Sequence, residues 1–153
     1  MSRWSHVIVH HTASPDSPGL EADNIRRYHL SLGWRDVGYH YLVEHLEGGF
    51  EAVIGRPAFM AGSHSPGWNS KALGVAFVGN FEDVGPTPAQ LDVGAELIAS
   101  LCYMNEIPIE NILGHRDVRA TACPGASFSI PELRALVADY LGVPWPHEPI
   151  LTA

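Results

Sequence analysis

Residues 7–11 read Val7-Ile8-Val9-His10-His11. Three β-branched residues in a row without polar alternation predict a short buried strand, and it ends in two imidazoles. Residues 12–19 carry two prolines, an aspartate and two serines, which reads as a loop. Ile25, Tyr28, His29 and Leu32 then recur on one helical face, and Gly33 stands where a helix ends. A helix is predicted from about Leu20 to Leu32. Tyr39–Glu44 and Phe50–Ile54 flank Gly48-Gly49, the pattern of a hairpin, and Leu73–Val78 predicts a second buried strand. Thr87-Pro88-Ala89-Gln90 is a capping box with proline at the first helical position. Leu91, Ala95, Ile98, Leu101 and Cys102 carry that helix to about Asn105. Ile112–His115 is a short strand. Ser129-Ile130-Pro131-Glu132 opens a last helix, with Leu133, Leu136, Val137 and Tyr140 on its inner face. Strands and helices intermix along the chain. The expected class is α/β, a central mixed β-sheet flanked by helices in a single compact domain. That domain should span residues 1–142, with 143–153, which hold three prolines, as an irregular extension on the surface.

The 153 residues suit one domain large enough to bury its own core. Charged residues are 17% and hydrophobic residues 46%, a globular balance. The formal net charge is −8, and Lys71 is the only lysine. Such a chain is badly suited to neutralising phosphates, which argues against nucleic acid as a partner and against adsorption to anionic membranes. No apolar run reaches the roughly 20 residues needed to span a bilayer. The N-terminus lacks the tripartite pattern of a secretory signal, so a cytoplasmic protein as synthesised is expected. Cys102 and Cys123 do not make a disulfide framework.

Nine histidines are the oddity of the composition. His10 and His11 end one predicted strand, His115 ends another, and Cys123 follows in a loop. Strand ends point such residues at a common rim. Two imidazoles and a thiolate would leave the fourth position of a tetrahedral Zn2+ open, as in catalytic sites. Alternation along the strand sends only one of His10 and His11 toward that rim, and the spacing alone does not say which. Singly, each histidine reads as well as a hydrogen-bonded core residue. Cys102 reads as a small buried hydrophobe. Trp34 and Trp68 stand in loops as packing anchors or ligand platforms. Arg26 and Arg27 read as a solvated helix face. Residues 55–72 form an unusually long loop for so small a domain, and such loops are usually functional.

Six blocks occur in a fixed order: VIVHHTA, RRYHLSLGW, DVGYHYLV, AGSHSPGWNSKALGVAFVGNF, TPAQL and GHRDVRATACPG. Together they resemble the type 2, zinc-dependent N-acetylmuramoyl-L-alanine amidases, a superfamily that includes amidase-type phage lysozymes and peptidoglycan recognition proteins. The likeness runs from about Val7 to Leu141. It implies Zn2+ as cofactor, with His10, His115 and Cys123 as ligands. It implies Tyr39 and Thr121 as catalytic residues. It matches His29, His64 and Asn69 to substrate-contacting positions, and Trp68 is expected to line the same groove. Thr121 departs from the phage enzymes, which carry lysine there. A neutral hydroxyl is a weaker donor to an oxyanion than an ammonium.

The resemblance implies hydrolysis of the amide between N-acetylmuramic acid and L-alanine, with peptidoglycan or a muropeptide as partner. A monomeric phage or prophage endolysin is the expected setting. The alternatives are a peptidoglycan-binding recognition module without catalysis, and a cytoplasmic muropeptide-recycling amidase. For the proton to the leaving amine, Tyr39 acting through water is the first choice and His64 the second.

Overall fold

The computed structural model describes residues 2–14 and 22–145. Its elements run β1 (His6–His11), α1 (Ala22–Ser31), β2 (Tyr41–Leu46), β3 (Gly49–Ile54), β4 (Ala72–Phe77), α2 (Pro88–Asn105), β5 (Ile112–Gly114) and α3 (Ile130–Leu141). The strands form one sheet in the order β3-β2-β4-β1-β5. β1 pairs in parallel with both β4 and β5, β2 pairs in parallel with β4, and β3 closes an antiparallel hairpin on β2. The sheet is therefore mixed, with helices on its faces in one compact domain, the expected α/β class.

The two faces carry unequal cores. Val7, Val9, Val43, Leu73, Val75 and Phe77 pack against α2 and α3 in the large cluster. The opposite face holds a smaller cluster of Val37, Leu42 and Ala76, with Ile25 of α1 and Tyr39 against them. The register explains who shares which face. His10 pairs with Ala76, and Ala76 with Leu42, so these three side chains lie in a row on the small-core face. Val7 and Val9 point the other way, and alternation sends His11 with them.

The unequal cores also explain where helical patterns mislead. On α1 only His29 is buried, while Tyr28 and Leu32 are more than half exposed, because the small face offers little apolar surface to cover. Arg26 of that helix is not merely solvated. It donates to Asp36 at 2.8 Å and to the Gly55 carbonyl at 3.2 Å. Leu20 and Glu21, at the expected start of α1, lie outside the described residues. On α3, Leu133 and Val137 are buried, but Tyr140 is exposed and its hydroxyl donates to Asp92 at 2.7 Å. Thr87 caps α2 by accepting from Gln90 N–H. The second half of that capping box is not made, since the Gln90 amide turns inward and donates to the Val78 carbonyl at 2.9 Å. Tyr39 and His40 precede β2 rather than belonging to it. Trp145 packs against the large core, and the rest of the expected extension, from residue 146, lies outside the described residues. No helix among the described residues is long and apolar enough to cross a membrane.

Gly94 in α2 faces Phe77, and a Cβ built there would lie 2.2 Å from the Phe77 ring. Alanine gains roughly 1 kcal/mol over glycine in a helix interior. Overpacking a fully buried ring costs about 1–3 kcal/mol. Gly94→Ala is therefore expected to lower stability by about 1 kcal/mol in urea unfolding. Equal or greater stability would show that the helix can shift away from the sheet.

Candidate active site

Because β1 and β5 run parallel, their C-terminal ends meet at one rim, where open α/β sheets bind ligands. His10 is the penultimate residue of β1, and His115 follows β5 directly. Cys123 arrives on the loop between β5 and α3. Arg116 braces that loop, donating to the Gly125 and Phe128 carbonyls at 2.7 and 2.8 Å, while its backbone N–H donates to the Cys123 carbonyl. The Asp117 carboxylate accepts from Gly114 N–H, and the Thr121 hydroxyl accepts from Cys123 N–H at 3.3 Å.

One ligand atom from each of His10, His115 and Cys123 lies within 4.8 Å of the others. The Cys123 Sγ stands 3.7 Å from His10 Nδ1, and the two imidazole rings are 4.5 Å apart. Zn–S and Zn–N bonds of about 2.3 and 2.0 Å imply a tetrahedral edge of roughly 3.5 Å. The sulfur-to-nitrogen spacing fits that edge. His115 Nε2 is buried with no hydrogen-bond partner among the described residues. An orphaned imidazole nitrogen beside a thiol and a second imidazole suits a metal better than it suits a closed core. The two-nitrogen, one-sulfur donor set is one that zinc favours. His11 is not part of the cluster. It sits on the large-core face, where its Nδ1 accepts from Phe81 N–H at 3.1 Å.

Burial first, and the neighbouring imidazoles second, hold His10 well below the usual histidine range. Burial, with a contribution from Arg119, also lowers His115. Both are neutral and keep a lone pair for an ion. Burial pushes the Cys123 thiol up to about 11, against the opposing pull of the His11 backbone and Arg116. Tyr39 is raised above the ordinary phenol value, by burial and then by Cys123. It stays a proton-bearing donor throughout the neutral range.

The cluster opens on a cleft of about 400 Å³, which Thr12, Trp34, Tyr39, His64 and Thr121 also line. The Tyr39 ring is 5.1 Å from the His10 ring. A second hollow of about 390 Å³ shares Thr12 and Tyr39 with it and reaches Tyr28 and His29 of α1. His29 Nδ1 accepts from Gly38 N–H at 2.9 Å, so its neutral ring keeps the proton on Nε2. The Trp34 ring lies tilted 4.4 Å from that ring. Trp34 is the cleft residue that sequence reasoning left undecided. Its one local signal is its place directly after the helix-ending Gly33. Larger grooves between the ends of α2 and α3 carry no cluster of ligating groups.

The long loop departs from expectation. Trp68 is not brought to the cleft. It lies beside the start of β1, edge-on to His6 at 4.9 Å and beneath the Lys71 ammonium. His6 and His10 are four strand residues, about 13 Å, apart. Trp68 ends its loop just before β4 begins, which fixes it at the rim opposite the His10–His115–Cys123 cluster. The Asn69 carboxamide oxygen accepts from the His64 and Ser65 N–H groups, both at 2.8 Å, and so staples the loop. His64 itself is buried against His10, with its ring nitrogens 3.0 Å from His10 Nε2 and 3.1 Å from the Ala72 carbonyl. Burial lowers it to about 3, so it stays neutral.

Residues 1–126 match the Amidase_2 family, described as N-acetylmuramoyl-L-alanine amidase. The chain is 35% identical over 133 residues to peptidoglycan-recognition protein SC2 of Drosophila simulans, covering 82% of this chain and 71% of that one. It is 34% identical over 123 residues to the endolysin of Escherichia phage T7, covering 77% and 78%. Among solved structures it superposes on the N-acetylmuramoyl-L-alanine amidase LysC from Clostridium intestinale URNW with a TM-score of 0.75 and 29% identity. That match covers 94% of this chain and 88% of the other. The chain is therefore a member of the Amidase_2 family of N-acetylmuramoyl-L-alanine amidases.

Proposed function

We propose that this protein is a zinc-dependent amidase that hydrolyses the bond between N-acetylmuramic acid and L-alanine in peptidoglycan, and that it serves as a phage or prophage endolysin. The observation that carries the reading is the His10–His115–Cys123 triangle at the floor of a cleft, with the Tyr39 ring beside it. Similarity to the T7 endolysin supports the lytic setting.

His10, His115 and Cys123 would hold the ion. When bound, zinc supplies Lewis acidity, which activates water and polarises an amide carbonyl. The remaining work falls to side chains. Tyr39, kept protonated by burial, donates a hydrogen bond to the carbonyl oxygen as negative charge develops there. Thr121 lines the same cleft and offers a second, uncharged donor. Of the four residues expected to bind substrate, His64 lines the cleft and His29 the adjoining hollow, where its Nε2–H would orient the substrate. Tyr39 acting through water is the proton source for the leaving amine. His64 is unsuited to it, because both ring nitrogens are engaged and the ring is buried. A recognition module that binds peptidoglycan without cleaving it is the second reading, favoured by the similarity to recognition protein SC2.

Digestion of purified sacculi separates the two. New L-alanine amino termini, abolished by a chelator and restored by zinc, are the expected result. Binding without new termini in the zinc-loaded protein would select the recognition module. Tyr39→Phe is expected to lower kcat by about 100-fold or more, in line with loss of one oxyanion donor, with zinc content unchanged. Near-normal digestion by that variant would remove Tyr39 from the chemistry.

A further inference from the structure

His64 sits in a slot that the backbone has been cleared to admit. A Cβ on Gly62 or on Gly74 would lie 2.4 or 2.6 Å from the His64 ring. Gly74 stands in the middle of β4, a fully buried strand, where glycine is a poor strand former unless another group must approach closely. Here that group is an imidazole. The Asn69 carboxamide, holding the His64 and Ser65 N–H groups, sets the backbone that delivers the ring.

The hydrogen bonds around the ring have one consistent polarity. A carbonyl can only accept, so His64 Nε2, 3.1 Å from the Ala72 oxygen, carries the proton. A charged imidazole enclosed here would have no carboxylate against it, so the ring is neutral and Nδ1 is an acceptor. That nitrogen has one lone pair, and Ser65 Oγ is the more distant of its two polar neighbours, at 3.2 Å. His10 Nε2, at 3.0 Å, is the donor to it, since two facing lone pairs would repel. The His10 proton is thereby fixed on Nε2, and its lone pair on Nδ1, the atom 3.7 Å from Cys123 Sγ.

We infer that His64 is a positioning residue, which sets the tautomer and ring angle of His10 so that Nδ1 is presented to the metal. This rests on the metal reading given above. A partner of this kind on a ligating histidine commonly contributes 10–100-fold in metal affinity. His64 then acts through His10, whose ring it holds.

Cobalt titration of the full chain tests this, followed by sulfur-to-cobalt absorption, with zinc affinity measured by chelator competition. His64→Phe fills the slot but accepts nothing, and it should bind about 10–100-fold more weakly. His64→Asn places an oxygen near the Nδ1 position and should recover much of that loss. A packing role predicts the reverse order, and that order, or normal binding by His64→Phe, would overturn the proposal. Cys123→Ala serves as the control. If it binds as tightly as the unsubstituted chain, the metal reading itself fails. If it loses the ion while His64→Phe does not, only the role of His64 fails. Long-range nitrogen NMR of the unsubstituted, zinc-loaded chain needs no variant to fold. It should show protons on Nε2 of both His64 and His10, and a proton on His64 Nδ1 would refute the assignment.

Discussion

The parallel pairing of β1 with β4 on one edge and β5 on the other governs the rest of the molecule. It buries β1 from Val7 to His11 between neighbours and brings its end to the same rim as the end of β5. The direction in which His10 points is then set by alternation from Val7 and Val9, which the large core claims. His10 is left facing the thinner side of the sheet, where Tyr39 and the long loop can reach it. A one-residue slip of β1 would send His10 into the core and His11 to the cleft, and the three ligating groups would no longer converge.

The long loop between β3 and β4 contributes by bracing more than by touching the cleft. Asn69 fastens the backbone at His64, and Arg56 reaches the Val37, Ala61 and Asp36 carbonyls, tying the loop to the segment that carries Tyr39. The imidazoles near the cluster are held neutral by burial, so they act as lone-pair donors and hydrogen-bonding struts and do not act as charges. Burial keeps the phenolic proton on Tyr39 beside the cluster. The Thr121 hydroxyl lines the same cleft and accepts from Cys123 N–H.

Elements whose signals are local were legible in the sequence. β1 and β4 read as uninterrupted β-branched or apolar runs, and α2 and α3 carried their caps at Thr87 and Ser129. The class of the fold followed from them. What was not legible depended on how unequal the two cores are. The apolar face of α1 suggested burial for Tyr28 and Leu32, but the small core has little to offer them. The choice between His10 and His11 needed the same knowledge. Trp68 suggested a platform because it is an aromatic in a loop, yet its nearness to the start of β4 commits it to the far rim. His64 and Asn69 fell in the right loop, but only three-dimensional contacts show that Asn69 staples the backbone and that His64 packs on His10 at the wall of the cleft.

Zinc K-edge absorption on the zinc-loaded chain addresses the central claim most directly. Two histidine nitrogens at about 2.0 Å, one sulfur at about 2.3 Å and one further light atom exchangeable with solvent are the predicted shell. A shell without sulfur, or one closed by a fourth protein ligand, would contradict it.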